Sequence, residues 1–191
     1  MAGKKGFVTD GAVAALMHVF WEKGYEGTSI ADLEAATGLK RGSLYNAFGG
    51  KEAMFAIAFS RYAQQVEEAN LSQLDTVPLA EGVAAYLRFL IEGAGEDHPP
   101  GCLISRSAAE LASKDGDLGA LVRDRLKTTA MALQRRFERA AAAGELPEGA
   151  DPALLAQTLA AGTRGLSLMA GAGQPQAAWA LATSLKRLVL G

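Results

Sequence analysis

The placement of its prolines constrains the fold of this chain more than any other feature of the sequence. All six, at positions 78, 99, 100, 147, 152 and 175, lie between apolar periodic stretches or in the first turn of one. A proline inside a helix removes a hydrogen bond and clashes with the preceding turn, whereas in the first turn it costs little. Between the breaks, apolar residues recur at steps of three and four, as in Val13, Leu16 and Phe20. The sequence therefore predicts an all-α protein.

The glycines and prolines between these stretches set the limits of the predicted helices. Thr9 is placed to cap the first helix, and Gly24 to end it in a left-handed conformation. We expect a small three-helix unit in residues 1–50 and a larger helical domain in residues 51–191. The predicted helices cover residues 10–23, 30–36, 40–48, 51–71, 78–92, 102–113, 118–143, 152–170 and 175–189.

The composition favours a soluble protein of the cytoplasm. Hydrophobic residues make up 49% of the 191 residues and the net charge is −2. A sizeable core is therefore expected, and a generally basic nucleic-acid coat is excluded. The single cysteine, Cys102, rules out a disulfide within the chain. Neither a signal peptide nor a membrane span is predicted, because no apolar run follows the N-terminal lysines and Gln157 and Arg164 interrupt the most apolar later stretch.

Residues 28–51 contain two short helical patterns around a glycine-centred turn. Ser29 can cap the first helix, and Gly38 can adopt the positive φ that the turn needs. The apolar residues placed to lock the two helices together are Ile30, Leu33, Leu39, Leu44 and Phe48. The pattern predicts a helix-turn-helix.

The second helix of this pattern carries polar and basic residues on its outward side, and Gly42 would let its backbone approach a partner closely. A second helix of this kind, inserted into the major groove, is the helix-turn-helix mode of reading DNA. The alternative is an ordinary solvated helix, since corners of two helices occur in many proteins. The candidate DNA-contacting residues are Lys40, Arg41, Gly42, Ser43, Tyr45 and Asn46.

The segment from Ala15 to Phe59 resembles the N-terminal domain of the TetR family of transcriptional regulators. The resemblance is carried by the sequences GYEGTSI, GSLYNAF and the following KE. It implies an all-α, homodimeric, ligand-responsive regulator, most often a repressor of a palindromic operator in double-stranded DNA. Its C-terminal domain would hold the effector pocket and the dimer interface.

The resemblance also assigns roles by position within the motif. It places Thr28 and Lys51 at positions that clamp DNA phosphates. Glu34 departs from the family pattern, in which a small residue is usual there, and we expect the crossing of the two helices to adjust to it.

An effector pocket is expected between the helix that begins at residue 51 and those around 83–91 and 118–137. Few buried charges are predicted there, so we expect a small apolar or aromatic effector. The alternative for each candidate is plain core packing. The candidate lining residues are Phe59, Tyr62, Tyr86, Phe89, Cys102, Ser105, Met131 and Trp179.

The last two predicted helices, within residues 152–190, combine leucines with small residues that permit close helix packing. Two such helices from each of two chains would form a four-helix interface, whereas the alternative is internal core. The candidate interface residues are Leu155, Leu159, Gly162, Leu166, Leu181, Leu185 and Leu188.

Cys102 suggests a second class of function, because a thiol at the start of a helix becomes more reactive. It could serve a thiol-based redox or electrophile sensor, or an enzyme that uses His98 as its base. The alternative is a small buried packing residue. No metal cluster, phosphate loop or cofactor motif accompanies it, so we predict no metal, no cofactor and no catalytic site.

Overall fold

The computed structural model describes residues 2–66, 74, 78–92 and 99–191. Within these ranges the chain forms helices connected by turns, and no strand is present. We number the helices α1 Ala2–Lys23, α2 Ile30–Thr37, α3 Arg41–Phe48, α4 Lys51–Val66, α5 Leu79–Glu92, α6 Leu103–Leu111, α7 Asp117–Ala142, α8 Pro152–Gly171 and α9 Pro175–Leu190. The all-α prediction is confirmed.

Most helix limits agree with the sequence pattern to within two residues, and the first is the exception. α1 begins at Ala2, so Thr9 lies inside the helix and does not cap it. The early start is possible because residues 2–9 contain no proline, and each glycine costs a helix only about 1 kcal/mol. The predicted end of the fourth helix at Leu71 and the candidate base His98 lie outside the described residues.

The N-terminal helices pack around an apolar core shared with α4. Leu33 from α2 and Leu44 from α3 are fully buried against α1 and α4. The rings of Phe20 and Phe55 meet edge to face with centroids 5.2 Å apart, and Phe55 stacks on Phe59 at 5.5 Å. This core holds α2 and α3 at a set angle on α1 and α4.

The C-terminal helices form a second group in which α8 lies at the centre, packed against α5, α7 and α9. Val122 and Phe137 from α7 and Leu159 and Leu166 from α8 are buried in its core. α4 contacts α1 on one side and α6 and α7 on the other, so the buried residues of the two groups are continuous. The domain boundary at residue 50 stays a prediction. No described helix is both long and apolar enough to cross a membrane.

Candidate nucleic-acid interface and effector cavity

A capping box sets the start of α2. The Ser29 side chain accepts a hydrogen bond from the backbone N–H of Asp32 at 3.2 Å, and the Asp32 carboxylate accepts one from the N–H of Ser29 at 2.8 Å. Lys23 Nζ lies 2.6 Å from the same carboxylate. The hydrogen bonds from Lys23 and Ser29 lower the pKa of Asp32. The end of α1 and the start of α2 are therefore tied together by one charged residue.

Gly38 ends α2 in the left-handed conformation that the sequence predicts. Its φ is 68°, and its N–H donates to the carbonyl of Glu34 at 3.0 Å. Thr37 Oγ1 donates to the carbonyl of Leu33 at 2.6 Å and accepts a hydrogen bond from the N–H of Leu39 at 3.2 Å. These bonds satisfy the N–H groups of Gly38 and Leu39 as the chain reverses between the two helices.

Glu34 caps the second helix of the motif from the first. Its Oε1 accepts a hydrogen bond from the backbone N–H of Arg41, the first residue of α3, at 2.7 Å. Lys40 is the N-cap residue of α3 and makes no capping bond with its own side chain. A carboxylate at a helix N-terminus satisfies an orphan donor and interacts favourably with the helix dipole. The residue that departs from the family pattern thus links α2 to α3.

α3 buries Leu44 and Phe48 and leaves its other side to solvent. Tyr45 is 40% exposed, and the Arg41 guanidinium lies 5.6 Å from the centroid of its ring. All the residues predicted on this helix face the solvent, namely Lys40, Arg41, Gly42, Ser43, Tyr45 and Asn46. The surface offers cationic, hydroxyl and amide groups together, which are the partners of phosphates and base edges.

The two predicted phosphate-clamp residues lie differently. Thr28 is only 2% exposed, and its hydroxyl donates to the carbonyl of Gly24 at 2.6 Å. That proton is used to fasten the end of α1, so the side chain offers no exposed donor. Lys51 begins α4, is partly buried, and its ammonium lies 4.6 Å from the centroid of the Tyr25 ring.

A cavity with a free volume of about 30 Å³ lies between α5, α6, α7 and α8. This is room for about two water molecules, so a larger ligand must open it. The lining residues are Tyr86, Leu90, Cys102, Ile104, Ser105, Arg125, Leu126, Thr129, Ala160, Thr163, Arg164 and Ser167.

Tyr86, Cys102 and Ser105 are the predicted pocket residues that line this cavity. The others lie elsewhere. Tyr62 is buried beside Cys102; burial raises the pKa of its hydroxyl, and the thiol acts in the same direction. Phe59 and Phe89 belong to the core, and Met131 and Trp179 are 43% and 39% exposed at the surface.

Two charged side chains lie in the cavity wall, because Arg125 and Arg164, both partly buried, line it. An arginine side chain is long enough to reach inward from the flank of a helix, so helical periodicity alone assigns it to the surface. The sequence of α8 did contain a signal for a polar cavity wall. Inside an apolar segment, small and hydroxyl-bearing residues recur at helical spacing at Ala160, Thr163 and Ser167.

Several of the predicted interface leucines belong to the core of their own chain. Leu159 and Leu166 are fully buried, and Leu185 is 6% exposed. Leu185 fills the space beside Gly162, where an added Cβ would lie 2.3 Å from its Cδ2. These residues are covered within their own chain, because α8 and α9 pack on each other; the dimer interface stays a prediction.

The remaining predicted interface residues are more accessible. Leu155 and Leu181 are partly buried, and Leu188 is 63% exposed. Leu154 and Leu168, at 59% and 45% exposure, add apolar surface on the outer side of α8. α8 and α9 therefore bury one side within the chain and present apolar residues on another.

α6 connects the cavity with the loop before α2. Its first residues line the cavity, and its other end contacts the end of α1 and the loop after it. The Glu110 carboxylate accepts hydrogen bonds from the backbone N–H groups of Tyr25 at 2.8 Å and Glu26 at 3.2 Å. Arg106 Nη1 donates to the carbonyl of Glu22 at 2.9 Å. One short helix thus contacts both the cavity and the loop that leads into the helix-turn-helix.

Cys102 is a free cysteine and the N-cap residue of α6, with 8% of its surface exposed. Among the described residues, no group of three or more histidine, cysteine, aspartate or glutamate side chains could hold a metal ion.

An exposed helix-turn-helix joined to a helical domain with its own cavity defines the class of helix-turn-helix transcriptional regulators. The family model of bacterial regulatory proteins of the tetR family matches residues 12–57, and the model of the tetracyclin repressor-like C-terminal domain matches residues 79–185. The chain belongs to the TetR family of transcriptional regulators, as the sequence motif predicts. It is therefore a regulator and not an enzyme.

Individual relatives and solved structures are similar to this chain over most of its length. The HTH-type transcriptional repressor ComR of Escherichia coli (strain K12) is 31% identical over 172 residues, which cover 88% of this chain and 82% of ComR. A cysteine mutant of the TetR family regulator CifR, bound to 26-bp double-strand operator DNA, has a TM-score of 0.80 at 30% identity, covering 93% of this chain and 94% of that one. A TetR regulator from Chloroflexus aurantiacus J-10-FL has a TM-score of 0.82 at 26% identity, covering 97% of this chain and 96% of that one.

Proposed function

We propose that this protein is a repressor that binds a palindromic operator as a homodimer and releases it when a small molecule occupies the cavity. The observation that carries the proposal is the solvent-facing side of α3, which exposes the side chains of Lys40, Arg41, Ser43, Tyr45 and Asn46. As a transcriptional regulator that binds DNA, the protein would act in the cytoplasm.

The DNA contacts divide by chemistry. Lys40 and Arg41 at the start of α3, together with Lys51 at the start of α4, are suited to phosphates, because they combine positive charge with a helix N-terminus. Tyr45 and Asn46 lie further along α3 and are suited to base edges. The similar CifR structure, which contains operator DNA, supports DNA as the partner of this surface. The name of ComR supports repression as the direction of regulation.

A homodimer follows from the apolar surface that α8 and α9 leave exposed. Leu154, Leu168 and Leu188 lie on these two helices, and a second copy of the chain would bury them by twofold symmetry. A twofold axis would present two α3 helices to successive major grooves about 34 Å apart, so the operator would be palindromic.

Release of DNA requires that occupation of the cavity change the position of α3. α6 offers a direct connection, because its start lines the cavity and Glu110 near its end holds the loop before α2. A ligand that enlarges the cavity would displace α6 and with it this loop. The separation of the two α3 helices in the dimer would then no longer fit the operator.

Selection of DNA from a random pool by the purified protein tests the proposal. We expect a palindrome to be enriched and its affinity to fall as salt rises. Lys40→Ala should weaken binding to all sequences alike, and the slope of log affinity against log salt concentration should fall by the share of about one phosphate contact. Tyr45→Ala should weaken binding and also relax the sequence preference. Lys127→Ala, an exposed lysine of α7, is the matched control and should bind as the wild type does. Absence of any enriched palindrome would contradict the proposal.

A further inference from the structure

The cavity lining combines apolar side chains with polar and charged ones. Leu90, Ile104 and Leu126 supply hydrocarbon, while Arg125 and Arg164 bring guanidinium groups to the same lining. No aspartate or glutamate occurs among the described lining residues, so the described wall carries positive charge and no negative charge. A cation in a partly buried site is costly unless an anion or several acceptors accompany it.

The Arg164 guanidinium makes one hydrogen bond within the chain. It is partly buried, and its Nη1 donates to the carbonyl of Ala160, one turn earlier in its own helix, at 2.5 Å. Among the described residues Arg164 forms no ion pair, and a guanidinium has further N–H groups in a planar fork. Arg125 is anchored differently, since its Nη2 donates to the carbonyl of Ala63 in α4 at 2.5 Å.

Three of the hydroxyl groups in the lining have already donated their protons. Thr163 donates to the carbonyl of Ala160 at 3.0 Å, Ser167 to that of Thr163 at 2.8 Å, and Thr129 to that of Arg125 at 3.1 Å. They satisfy backbone carbonyls of α7 and α8 and do not neutralise the guanidinium charge. Arg164 is therefore a charged donor of the lining that keeps N–H groups beyond the one bonded to Ala160.

Tyr86 lies beside this arginine. Burial raises the pKa of the Tyr86 hydroxyl, with Cys102 acting in the same direction, while the positive charge of Arg164 and the hydroxyl of Thr163 act against the shift. Tyr86 therefore stays protonated and uncharged at neutral pH. A guanidinium and a phenol close together form a binding site for an acceptor with negative charge.

We propose that the effector is a small monocarboxylate with a short apolar body, whose carboxylate pairs with Arg164 while its hydrocarbon lies against Leu90, Ile104 and Leu126. This inference rests on the proposed function and specifies its ligand. It adds a carboxylate to the small apolar or aromatic effector expected from the sequence. A carboxylate suits the site because its two oxygens accept parallel hydrogen bonds from the guanidinium fork. The cavity's small free volume favours a compact body.

Titration calorimetry of the DNA-free protein with matched pairs of ligands tests the inference. The panel would pair benzoate with benzamide and straight-chain carboxylates from acetate to decanoate with their amides, in a buffer free of carboxylates. We expect at least one carboxylate to bind about tenfold or more tightly than its amide, since a hydrogen bond to a charged group is worth more than a neutral one. Arg164→Gln should remove this preference, and Arg164→Lys should restore part of it.

Arg135→Gln is the matched control, because it removes the same charge from an exposed position of α7. It should leave the preference for carboxylates unchanged. Equal binding of both members of every pair, a preference for amides, a preference that survives Arg164→Gln, or the absence of binding by any carboxylate would each overturn the inference.

The ligand-binding test and the DNA-selection test can fail independently of each other. If the protein binds a palindrome and is released only by neutral compounds, the repressor proposal stands and the carboxylate inference fails. If the protein binds carboxylates through Arg164 but selects no DNA, the reverse holds.

Discussion

Glu110 occupies the space that a side chain on Gly24 would need: a Cβ atom on Gly24 would lie 2.0 Å from Glu110 Oε1. Gly24 ends α1 with a φ of 75°, a conformation that favours glycine for a second reason. The same carboxylate binds the N–H groups of Tyr25 and Glu26. The loop leading into the helix-turn-helix is thus shaped around a residue from α6, in the other group of helices.

Glu110→Ala should therefore weaken the connection between the two groups of helices. The backbone donors of Tyr25 and Glu26 would lose a charged acceptor, and we expect a loss of about 1–3 kcal/mol in the free energy of unfolding. Urea denaturation measures this loss, and Glu148→Ala in an exposed loop is the control. In the proposed repressor, ligand-induced release from the operator should also become weaker. Unchanged stability together with unchanged release would show that this contact carries no coupling.

Glu34→Ala should loosen the start of α3, because the N–H of Arg41 would lose its acceptor. We expect a loss of about 1 kcal/mol in the free energy of unfolding, as for other helix caps. Operator affinity, measured in a gel-shift assay, should fall, and the preferred DNA sequence should stay unchanged. Glu34→Gln keeps an acceptor oxygen and should retain most of both properties. If Glu34→Ala leaves stability and affinity unchanged, the link between α2 and α3 is unimportant.

Two glycines of α8 provide a matched test of its packing on α9. A Cβ on Gly162 would lie 2.3 Å from Leu185 Cδ2, whereas one on Gly165 would lie 3.8 Å from Leu181 Cδ2. Gly162→Ala should destabilise the protein by about 1–3 kcal/mol, as overpacking does. Gly165→Ala makes ordinary contact and should be neutral or stabilise by up to about 1 kcal/mol through helix propensity. Urea denaturation of both variants should show this opposite behaviour, and equal effects would contradict the packing described.

Leu188→Glu should dissociate the proposed homodimer. Leu188 is 63% exposed in the single chain, so a charge there costs little in the monomer but would be buried in the dimer. We expect the dimer to weaken by about 2 kcal/mol or more, as at a central interface residue. Analytical ultracentrifugation at several concentrations measures the change. Ile57→Glu, at 40% exposure on α4, is the control and should remain dimeric. A Leu188→Glu protein that stays dimeric would place the interface elsewhere.

Asp32 should make the stability of the protein sensitive to acid. Hydrogen bonds from Lys23 and Ser29 lower its pKa in the folded state, so the unfolded chain binds a proton at a higher pH than the folded chain does. Above the pKa of an aspartate in the unfolded chain, about 4, the stabilising contribution of Asp32 is complete. It is lost progressively as the pH falls below that value. Unfolding free energies measured from pH 6 down to pH 2 should decline less steeply in Asp32→Asn. Parallel pH profiles for the two proteins would refute this role.

The sequence by itself determined the helices and the DNA-facing surface. Each helix depends on interactions within a few residues, so apolar spacing and the proline breaks were enough to predict the helix limits within the described residues closely, except for the start of α1. The face of α3 is equally local, because the outward residues from Lys40 to Asn46 lie on one short helix whose inward residues, Leu44 and Phe48, are plain in the pattern.

Only the tertiary structure decided what each apolar or charged residue meets. Helical spacing marks Leu159, Leu166 and Leu185 as inward-facing, but it does not say whether their own chain or a second chain covers them. It marks Arg164 only as an interruption of an apolar stretch, while the packing of α5 to α8 makes it part of a cavity wall. The role of Glu34 emerged only when the turn brought its carboxylate to the N–H of Arg41, seven residues later. These contacts join residues that are distant in sequence or separated by a turn, and local spacing carries no information about which surfaces meet.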